Sequence, residues 1–591
     1  MPKYISKEHG IHNAKVFKDS LSLADTAALK QSSILYAVLG RAEAYADEDT
    51  TPTPIETDQD KHYELWRQAW AGKKITAGDV EHVVPRHNWT TGTVYAMYRD
   101  RDKNLHDRAF YVITDQNNVY KCLNNNKGAA STVRPTGFST SAFTTSDGYH
   151  WKYMYTVSLG QADKFMTASY IPVRTLANTD ASSEGDRQVS VQNAAANGAI
   201  EVIETVNVGS KYQQLANAVA DSATSTSITL STSSGDTPSI VDNFYNGASI
   251  YLISGTGSGQ LRRVIDYAGT TKTLTVNTAF TTLPNTDTRM IISPTVTVIG
   301  DGLNAKAYSK VDTSTGGIAN VFMITTGTGY RRATVQITSN AVHGTGATAN
   351  AIMSPVGGHG KDPIRELGGD KLLLNSQLVG SLGTSSNGKG LIQANTDFRS
   401  ISLLKDPILK VDQNNAVIAT EKIANSSNSP ATLRLSTELT ISYTSMSGST
   451  PVNALAAGDT ITNERARLAS ELGTMQFITE LSPTARTAQA MNNAVLAANA
   501  DIIYIRDDEA QSDASFFSMY INNVESYADH IPFTKDDILL KRGSEVQVAT
   551  VSTINGPEAN TYSGQFLHTE NISKVTRATD QTEDIKIILD F

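Results

Sequence analysis

Cysteine and charge are both scarce in this chain of 591 residues. The single cysteine, Cys122, excludes an intramolecular disulfide and any metal site built from several cysteines. Charged residues make up 18% of the chain, below the roughly 25% of typical globular proteins, and 39% are hydrophobic, which excludes a disordered polyelectrolyte. The 50 Lys and Arg residues against 59 Asp and Glu residues give a net charge of −9. A dedicated nucleic-acid-binding protein usually has a basic face, so this balance argues against one.

Long apolar runs are also missing. No stretch approaches the roughly 20 apolar residues that cross a membrane, and the first residues lack the apolar core of a signal peptide. We therefore expect that the chain is synthesised in the cytoplasm and does not insert into a membrane. The fold must depend on buried apolar area, and the length predicts about four domains.

Residues 1–190 contain all four tryptophans and two predicted helices. Apolar residues at helical spacing predict one helix from about Leu23 to Leu39. A cap at Thr57-Asp58 begins the second, which places Tyr63, Trp66 and Trp70 on one stripe. Further along, residues 111–114 and 119–123 flank a polar turn and predict a β-hairpin, and residues 149–155 predict another strand.

The middle of the chain contains an internal repeat. Gly327-Thr328-Gly329-Tyr330 matches Gly209-Ser210-Lys211-Tyr212, and the glycines and alanines of 344–351 match those of 300–307, with Gly300 aligned to Gly344. The simplest explanation is that residues 215–293 were inserted into the turn of the first repeat. Alternating segments at 227–230, 250–253 and 274–276 predict that this insert is a small β-barrel or sandwich nested in a larger β domain.

The C-terminal part is predicted to hold strands at 439–443 and 546–551, a helix from Ser482-Pro483 to about Ala500, and a docked final strand at 584–591. The fold class expected for the whole chain is mainly β with a few helices (α+β), in several sandwich-like or barrel-like domains. The predicted divisions are an N-terminal α+β core at 1–200, a β-repeat domain at 201–355 interrupted by the insert at 215–293, a return to the core at 356–411, a second β-rich insert at 412–558 with the helix near 482–500, and a C-terminal strand docking on the core at 559–591.

No catalytic signature is complete. Gly383–Lys389 matches a phosphate-binding loop up to its lysine, but Gly390 occupies the position where Ser or Thr must bind magnesium. The pairs His9/His12 and His82/His87 lack the spacing of metal ligands, and His343 and His359, in glycine-rich turns, are expected at the surface or in caps. We therefore predict a protein that is not an enzyme, with no catalytic residue, cofactor or metal.

A series of short motifs occurs in a fixed order along the chain and resembles one protein family. The segments are 40–45 (GRAEAY), 83–89 (VVPRHNW), 119–123 (VYKCL), 147–153 (DGYHWKY), 357–363 (GGHGKDP), 397–402 (DFRSIS) and 580–587 (DQTEDIKI). The series resembles the baseplate wedge subunits known as gene product eight in T-even-like contractile-tailed bacteriophages, in the longer form carried by relatives that infect cyanobacteria. The resemblance covers roughly 1–190, 355–410 and 560–591, whereas 205–350 and 412–558 depart from the shorter T-even form.

The resemblance implies a mostly β, multidomain structural protein of the virion tail baseplate, assembled in the host bacterial cytoplasm. It implies a homodimer within each wedge, contacts with the other wedge subunits, support of fibre attachment, and rearrangement when the tail contracts. The family provides no catalytic or ligand residues that map onto this chain.

Aromatic and arginine residues in these motifs are candidate interface or framework anchors, because Tyr, Trp and Arg are favoured at interfaces. The candidates are Pro85, Arg86, Trp89, Tyr149, Trp151, Tyr153, Phe398, Arg399, Asp580 and Gln581. The alternative for the aromatics is that they are ordinary core. The alternative function is a receptor-binding, glycan-binding or carbohydrate-active tail protein, motivated by the Ser, Thr and Asn residues of 215–293. Nucleotide binding at Gly383–Lys389 is a third hypothesis.

Overall fold

A computed structural model describes the chain over 6–22, 33–54, 58–179, 181–340, 343–380, 382, 391–392, 397–410, 431–442, 455, 458–463, 498–506, 516–526, 533–542, 547–578 and 581–591. Within these ranges the protein is mainly β and multidomain, which confirms the predicted fold class. None of the described helices is long and apolar enough to cross a membrane.

The helices and strands are numbered here in chain order. The α-helices in the described ranges are α1 (Lys7–Ser20), α2 (Asp58–Gln68), α3 (Leu159–Phe165), α4 (Ser183–Ala194) and α5 (Pro363–Leu367). The strands to β15 are β1 (Leu35–Gly40), β2 (Ala69–Ile75), β3 (Val80–Pro85), β4 (Tyr111–Ile113), β5 (Asn118–Asn125), β6 (Phe143–Thr144), β7 (Tyr149–Thr156), β8 (Tyr170–Pro172), β9 (Ile200–Asn207), β10 (Leu215–Ala223), β11 (Ser227–Gly235), β12 (Ser249–Ser254), β13 (Leu261–Ala268), β14 (Thr273–Val276) and β15 (Arg289–Ser293). The later strands are β16 (Thr295–Gly300), β17 (Leu303–Asp312), β18 (Gly317–Thr328), β19 (Ala333–Thr338), β20 (Thr348–Met353), β21 (Lys371–Val379), β22 (Asp397–Lys405), β23 (Thr432–Arg434), β24 (Thr437–Ser442), β25 (Thr460–Asn463), β26 (Ala498–Arg506), β27 (Phe516–Ser526), β28 (Ile538–Lys541), β29 (Gln547–Asn555), β30 (Gln565–Thr576) and β31 (Thr582–Asp590).

The chain divides into two compact units. Unit 1 comprises Met1–Ile11 and His82–Asp370, and unit 2 comprises His12–Glu81 and Lys371–Phe591. These boundaries fall at different positions from the predicted domain divisions, because residues 12–81 pack with the C-terminal part of the chain.

The core of unit 1 is the sheet β4-β5-β7-β6. Strands β4 and β5 form the predicted hairpin, with Tyr111 opposite Lys121, and β5 pairs with β7 on its other side. Helix α4 packs against β7. Cys122, on β5, is fully buried, as predicted for a small buried residue.

Residues 215–293 of unit 1 form a closed six-stranded barrel in the order β10-β11-β14-β13-β12-β15. We call it the inserted barrel. Its buried core, which includes Ile228, Leu252 and Leu274, comes entirely from within the inserted barrel. Leu215 pairs with Ile292, so the chain enters and leaves the barrel on neighbouring strands.

The repeat forms a second closed barrel in unit 1, with the order β16-β17-β18-β9-β20-β19. We call it the repeat barrel. Its two copies are interlocked, because each tyrosine packs on the glycine turn of the other copy. Tyr212 Oη accepts a hydrogen bond from the backbone N–H of Ala347 (3.2 Å), and Tyr330 Oη accepts one from the N–H of Ala305 (3.4 Å).

The strand register corrects the sequence alignment of the repeat by two residues. Ser210 and Thr328 occupy the same position in the two copies. Ser210 bridges Thr345, and Thr328 pairs with Leu303, so Thr345 is equivalent to Leu303. The preceding residue, Gly344, therefore corresponds to Gly302 and not to Gly300. A Cβ atom at Gly344 would lie 2.1 Å from Tyr212 Cδ1, and one at Gly302 would lie 2.4 Å from Tyr330 Cδ2. Both turns therefore need glycine beneath the tyrosine ring.

Unit 2 contains the sheet β23-β2-β1-β22-β30, the pair β21–β31 and a closed barrel in the order β24-β27-β26-β25-β28-β29. Strand β31 is the predicted final strand, with Ile585 and Ile587 buried against β21. The strands predicted near 439–443 and 546–551 correspond to β24 and β29.

Both helix predictions near the N-terminus need correction. Residues Leu35–Leu39 of the first lie in strand β1, which is buried on both faces; residues 23–32 lie outside the described ranges. Helix α2 ends at Gln68, so Trp70 belongs to β2 and not to the helical stripe. The helix predicted at 482–500 lies outside the described residues up to 497, and Ala498–Ala500 belong to β26.

Candidate functional site

The candidate anchors of unit 1 are mostly framework residues. Tyr149, Trp151 and Tyr153 on β7 are fully buried in the core of unit 1. Their burial agrees with the alternative prediction, that these aromatics are core residues and not interface anchors. Half-buried Trp89 donates from Nε1 to Ser131 Oγ (3.1 Å), and Ser131 Oγ donates to Asp147 Oδ2 (3.2 Å). Two motif segments that lie 58 residues apart are joined through this relay.

Pro85 and Arg86 lie at the end of β3. The carbonyl of Pro85 accepts a hydrogen bond from Tyr111 Oη (2.6 Å), and Arg86 donates from Nη1 to the carbonyl of Thr167 (3.0 Å). Both side chains are half-buried, so they keep some surface for a partner.

The candidate anchors of unit 2 also hold the framework together. Phe398 is buried, and Arg399 is 4% exposed and pairs with Glu48 (2.9 Å) while donating to the carbonyl of Ala42 (2.6 Å). Tyr45 Oη donates to the carbonyl of Arg399 (2.7 Å), so motif segments about 350 residues apart are in direct contact.

The described start of the last motif, at Gln581, is exposed. The side chain of Gln581 accepts a hydrogen bond from the N–H of Ala578, and Asp580 lies outside the described residues.

The polar centre of unit 1 begins with two lysines on neighbouring strands. Lys121 on β5 lies directly opposite Lys152 on β7, and both are almost completely buried. Like charges directly across a strand pair repel each other, so each lysine needs a compensating group. Burial lowers the pKa of both lysines, and the nearby Glu366 and Glu201 act in the opposite direction.

Helix α5 supplies the compensating group for Lys121. Asp362 caps the helix by accepting from the N–H of Arg365, Pro363 occupies its first turn, and Gly368 ends it in the left-handed conformation (φ 80°). Glu366 is thereby placed 2.5 Å from Lys121 Nζ. Its other oxygen accepts from the N–H of Gly360 (2.7 Å), so both carboxylate oxygens of Glu366 are hydrogen-bonded. We call Lys121 and Glu366 the closed pair.

Lys152 and its acidic neighbour Glu201, on β9, are arranged differently. Lys152 Nζ donates to the carbonyl of Thr140 (2.5 Å). The carboxylate of Glu201 makes no hydrogen bond and no ion pair within 4 Å with any residue in the described ranges, and burial raises its pKa. We call Lys152 and Glu201 the open pair.

The open pair lines a polar cavity of about 900 Å³ within unit 1. The wall includes segments 124–128, 140–142, 194–196, 201–205 and 320–324. Strands β9 and β18 of the repeat barrel form one side, and the turns around β5 and β7 form the other. We call this space the polar cavity.

Two histidines complete the wall of the polar cavity. His359 is 3% exposed, which corrects the expectation that it lies at the surface or caps a turn. Its Nδ1 has no hydrogen-bond partner among the described residues, and the nearest carboxylate oxygen, Glu366 Oε2, is 4.0 Å away. Burial lowers the pKa of His359 well below its usual value and that of His150 to about 4, so both rings are neutral at pH 7.

The polar cavity therefore offers a carboxylate, an ammonium group, two neutral imidazoles and several amides and hydroxyls to a ligand. No group of three or more His, Cys, Asp or Glu side chains in the described part of the chain is arranged to hold a metal ion. The incomplete match to a phosphate-binding loop at Gly383–Lys389 lies outside the described residues.

Sequence reasoning missed the residues of the polar cavity. Lys121, Lys152 and Glu201 each interrupt a run of apolar or aromatic strand residues, which was the available signal. A charged side chain in the middle of a doubly buried strand must find a partner or face a cavity.

Neither a protein-family model nor the sequence of a curated protein matches this chain. The resemblance to baseplate wedge subunits therefore rests on the ordered motifs.

Proposed function

We propose that the chain is a structural subunit of a bacteriophage tail baseplate wedge and acts by protein–protein contacts. The observation that carries the proposal is the convergence of the motif series. Segments that are far apart in the sequence meet in the frameworks of the two units, as in the Trp89–Ser131–Asp147 relay and the contact of Tyr45 with Arg399.

The regions that depart from the shorter T-even form support the same proposal. They contain the inserted barrel and the barrel of unit 2, and each of these has its own buried core. A domain that carries its own core can be added to a framework through short connections and presents a new surface without changing the framework. This organisation suits a protein whose surfaces are its working parts.

The proposed partners are a second copy of the chain within each wedge and the other wedge subunits, and the proposed location is the tail baseplate of the virion. In this role the chain supports fibre attachment and rearranges when the tail contracts. Stable subunit interfaces of this kind bury on the order of 1,200–2,000 Å² or more. No catalysed reaction, nucleic-acid binding or membrane insertion is part of the proposal.

The test uses the full chain, purified and mixed with the neighbouring wedge proteins of the same phage. We expect a dimer by light scattering, a larger complex on a sizing column, and density for both units in a cryo-EM map of the baseplate. A strictly monomeric chain that joins no complex, or a location elsewhere in the virion, would refute the proposal.

A further inference from the structure

We propose that the polar cavity of unit 1 binds a neutral, hydroxyl-rich ligand, namely a short oligosaccharide. This inference is independent of the proposed structural role, because it concerns groups that no framework contact uses. It also differs from the hypothesis that the Ser, Thr and Asn residues of the inserted barrel bind glycans, since the cavity lies outside that barrel.

The wall of the polar cavity has unused hydrogen-bonding capacity. The carboxylate of Glu201 and Nδ1 of His359 have no hydrogen-bond partner among the described residues; Glu201 is half-buried in the cavity wall, and Nδ1 of His359 is buried. The half-buried carboxylate of Glu201 is therefore an acceptor that a ligand in the polar cavity can use. Among the described residues, Lys152 Nζ makes one hydrogen bond, to the carbonyl of Thr140, and an ammonium group has two further N–H donors.

The charges on the wall of the polar cavity nearly balance. Lys152 and Glu201 carry opposite charges on the inner wall, and at the rim Arg99 forms a two-pronged ion pair with Glu204 (2.6 and 3.3 Å). His150 and His359 are neutral at pH 7. Exposed Lys127 is the remaining charge among the groups that line the cavity. A wall that is dense in polar groups but nearly neutral favours an uncharged polar ligand over an anion or a cation.

The wall of the polar cavity combines polar and apolar surfaces. Amide and hydroxyl side chains at Asn124–Asn126, Thr140 and Ser141 face the same space as Met97, Met323 and Phe322. A sugar ring presents hydroxyls at its edge and C–H groups on its faces, so it can use both kinds of surface. The volume of about 900 Å³ lies within the usual range of ligand pockets and admits a short oligosaccharide.

The test measures binding of the full-length chain to an array of neutral di- to tetrasaccharides of glucose, galactose, mannose and N-acetylglucosamine, printed beside sialylated and phosphorylated glycans. Calorimetry with the best neutral probe then compares the wild type with variants. We expect Glu201→Gln to weaken binding about 10- to 100-fold, the usual effect of losing hydrogen bonds to a charged group.

Two further variants make the result specific. Ser141→Trp, at an exposed position of the wall, should block the cavity and abolish binding without disturbing the core. Glu184→Gln, in the first turn of α4 and outside the wall, is the matched control and should leave affinity unchanged. Three results would overturn the inference: no binding to any neutral probe, binding to the acidic probes alone, or binding that is unchanged in both Glu201→Gln and Ser141→Trp.

Discussion

The closed pair and the open pair each include a lysine at the same level of the sheet, but only the lysine of the closed pair forms an ion pair. Lys121 and Lys152 face each other across β5 and β7, yet Lys121 has a carboxylate at 2.5 Å, and Lys152 has none within 4 Å among the residues that the structure describes. Glu366 is fully hydrogen-bonded, whereas Glu201 is not hydrogen-bonded at all within the described structure. The comparison teaches that burial of charge alone does not indicate function, and that the distinguishing property is whether the buried groups already satisfy one another.

The largest expected effect is on the closed pair. Lys121→Met leaves the carboxylate of Glu366 buried without its counterion, so we expect unit 1 to lose about 3–5 kcal/mol of stability. Calorimetric melting of the full chain measures the loss. Lys306→Met, at an exposed position of β17, is the control and should change stability by no more than about 0.5 kcal/mol. Equal effects of the two substitutions would show that the closed pair is not structural.

Cys122 gives a local readout of the same change. It is the single cysteine of the chain, is fully buried next to Lys121, and has its pKa raised by burial. Labelling with a thiol reagent should be slow in the wild type, because the thiol must be exposed by opening of the sheet. Labelling should accelerate in Lys121→Met and remain slow in Lys306→Met.

The next effect is the coupling within the closed pair. Adding Glu366→Gln to Lys121→Met removes the unpaired negative charge at position 366. The amide oxygen of the new glutamine can still accept a hydrogen bond from the N–H of Gly360. We expect the double variant to recover about 1–3 kcal/mol of the loss, measured by a double-mutant cycle. Simple additivity of the two substitutions would mean that the 2.5 Å contact contributes little.

The smallest expected effect is on the open pair and has the opposite sign. Burial raises the pKa of Glu201 above its unfolded value, so the ionised carboxylate lowers stability at neutral pH. Glu201→Gln should therefore raise the stability of the unliganded chain slightly, by no more than about 1 kcal/mol. The advantage should shrink as the pH falls through the raised pKa and vanish below the unfolded value of about 4.3.

Melting temperatures of the wild type and Glu201→Gln between pH 8 and pH 4 provide the measurement, with Glu184→Gln as the reference. A Glu201→Gln variant that is clearly less stable at neutral pH would mean that Glu201 belongs to a closed arrangement after all, and the comparison of the two pairs would fail.

Strand patterns predicted much of the fold. Alternation at 119–123, 149–155 and 584–591 gave strands that the structure contains, and self-similarity identified residues 215–293, which form the inserted barrel. The failures have physical causes. Leu35 and Val38 fit helical spacing, but a strand that is buried on both faces also reads as an apolar run, so periodicity cannot separate the two.

The polar cavity was beyond sequence reasoning for a different reason. Lys121 and Lys152 are visible as charges within apolar strands, but the neighbouring carboxylates of Glu366 and Glu201 lie far away in the sequence, on α5 and β9. Only the folded chain shows which lysine is paired and which faces a cavity. The two-residue shift in the repeat register is similar, because the spacing of the glycines favours the first alignment and only the strand register and the tyrosine contacts reveal the second.

The interlocked turns of the repeat barrel impose an order on biosynthesis. Tyr212 meets its partner turn 135 residues further along the chain, so the repeat barrel cannot close until β20 has left the ribosome. The inserted barrel is complete at Ser293, and all the strands that it needs are then available. During translation the inserted barrel can therefore fold before the repeat barrel does. Because Leu215 and Ile292 are paired in the folded inserted barrel, it would keep strands β9 and β16 near each other until the rest of the repeat barrel is synthesised.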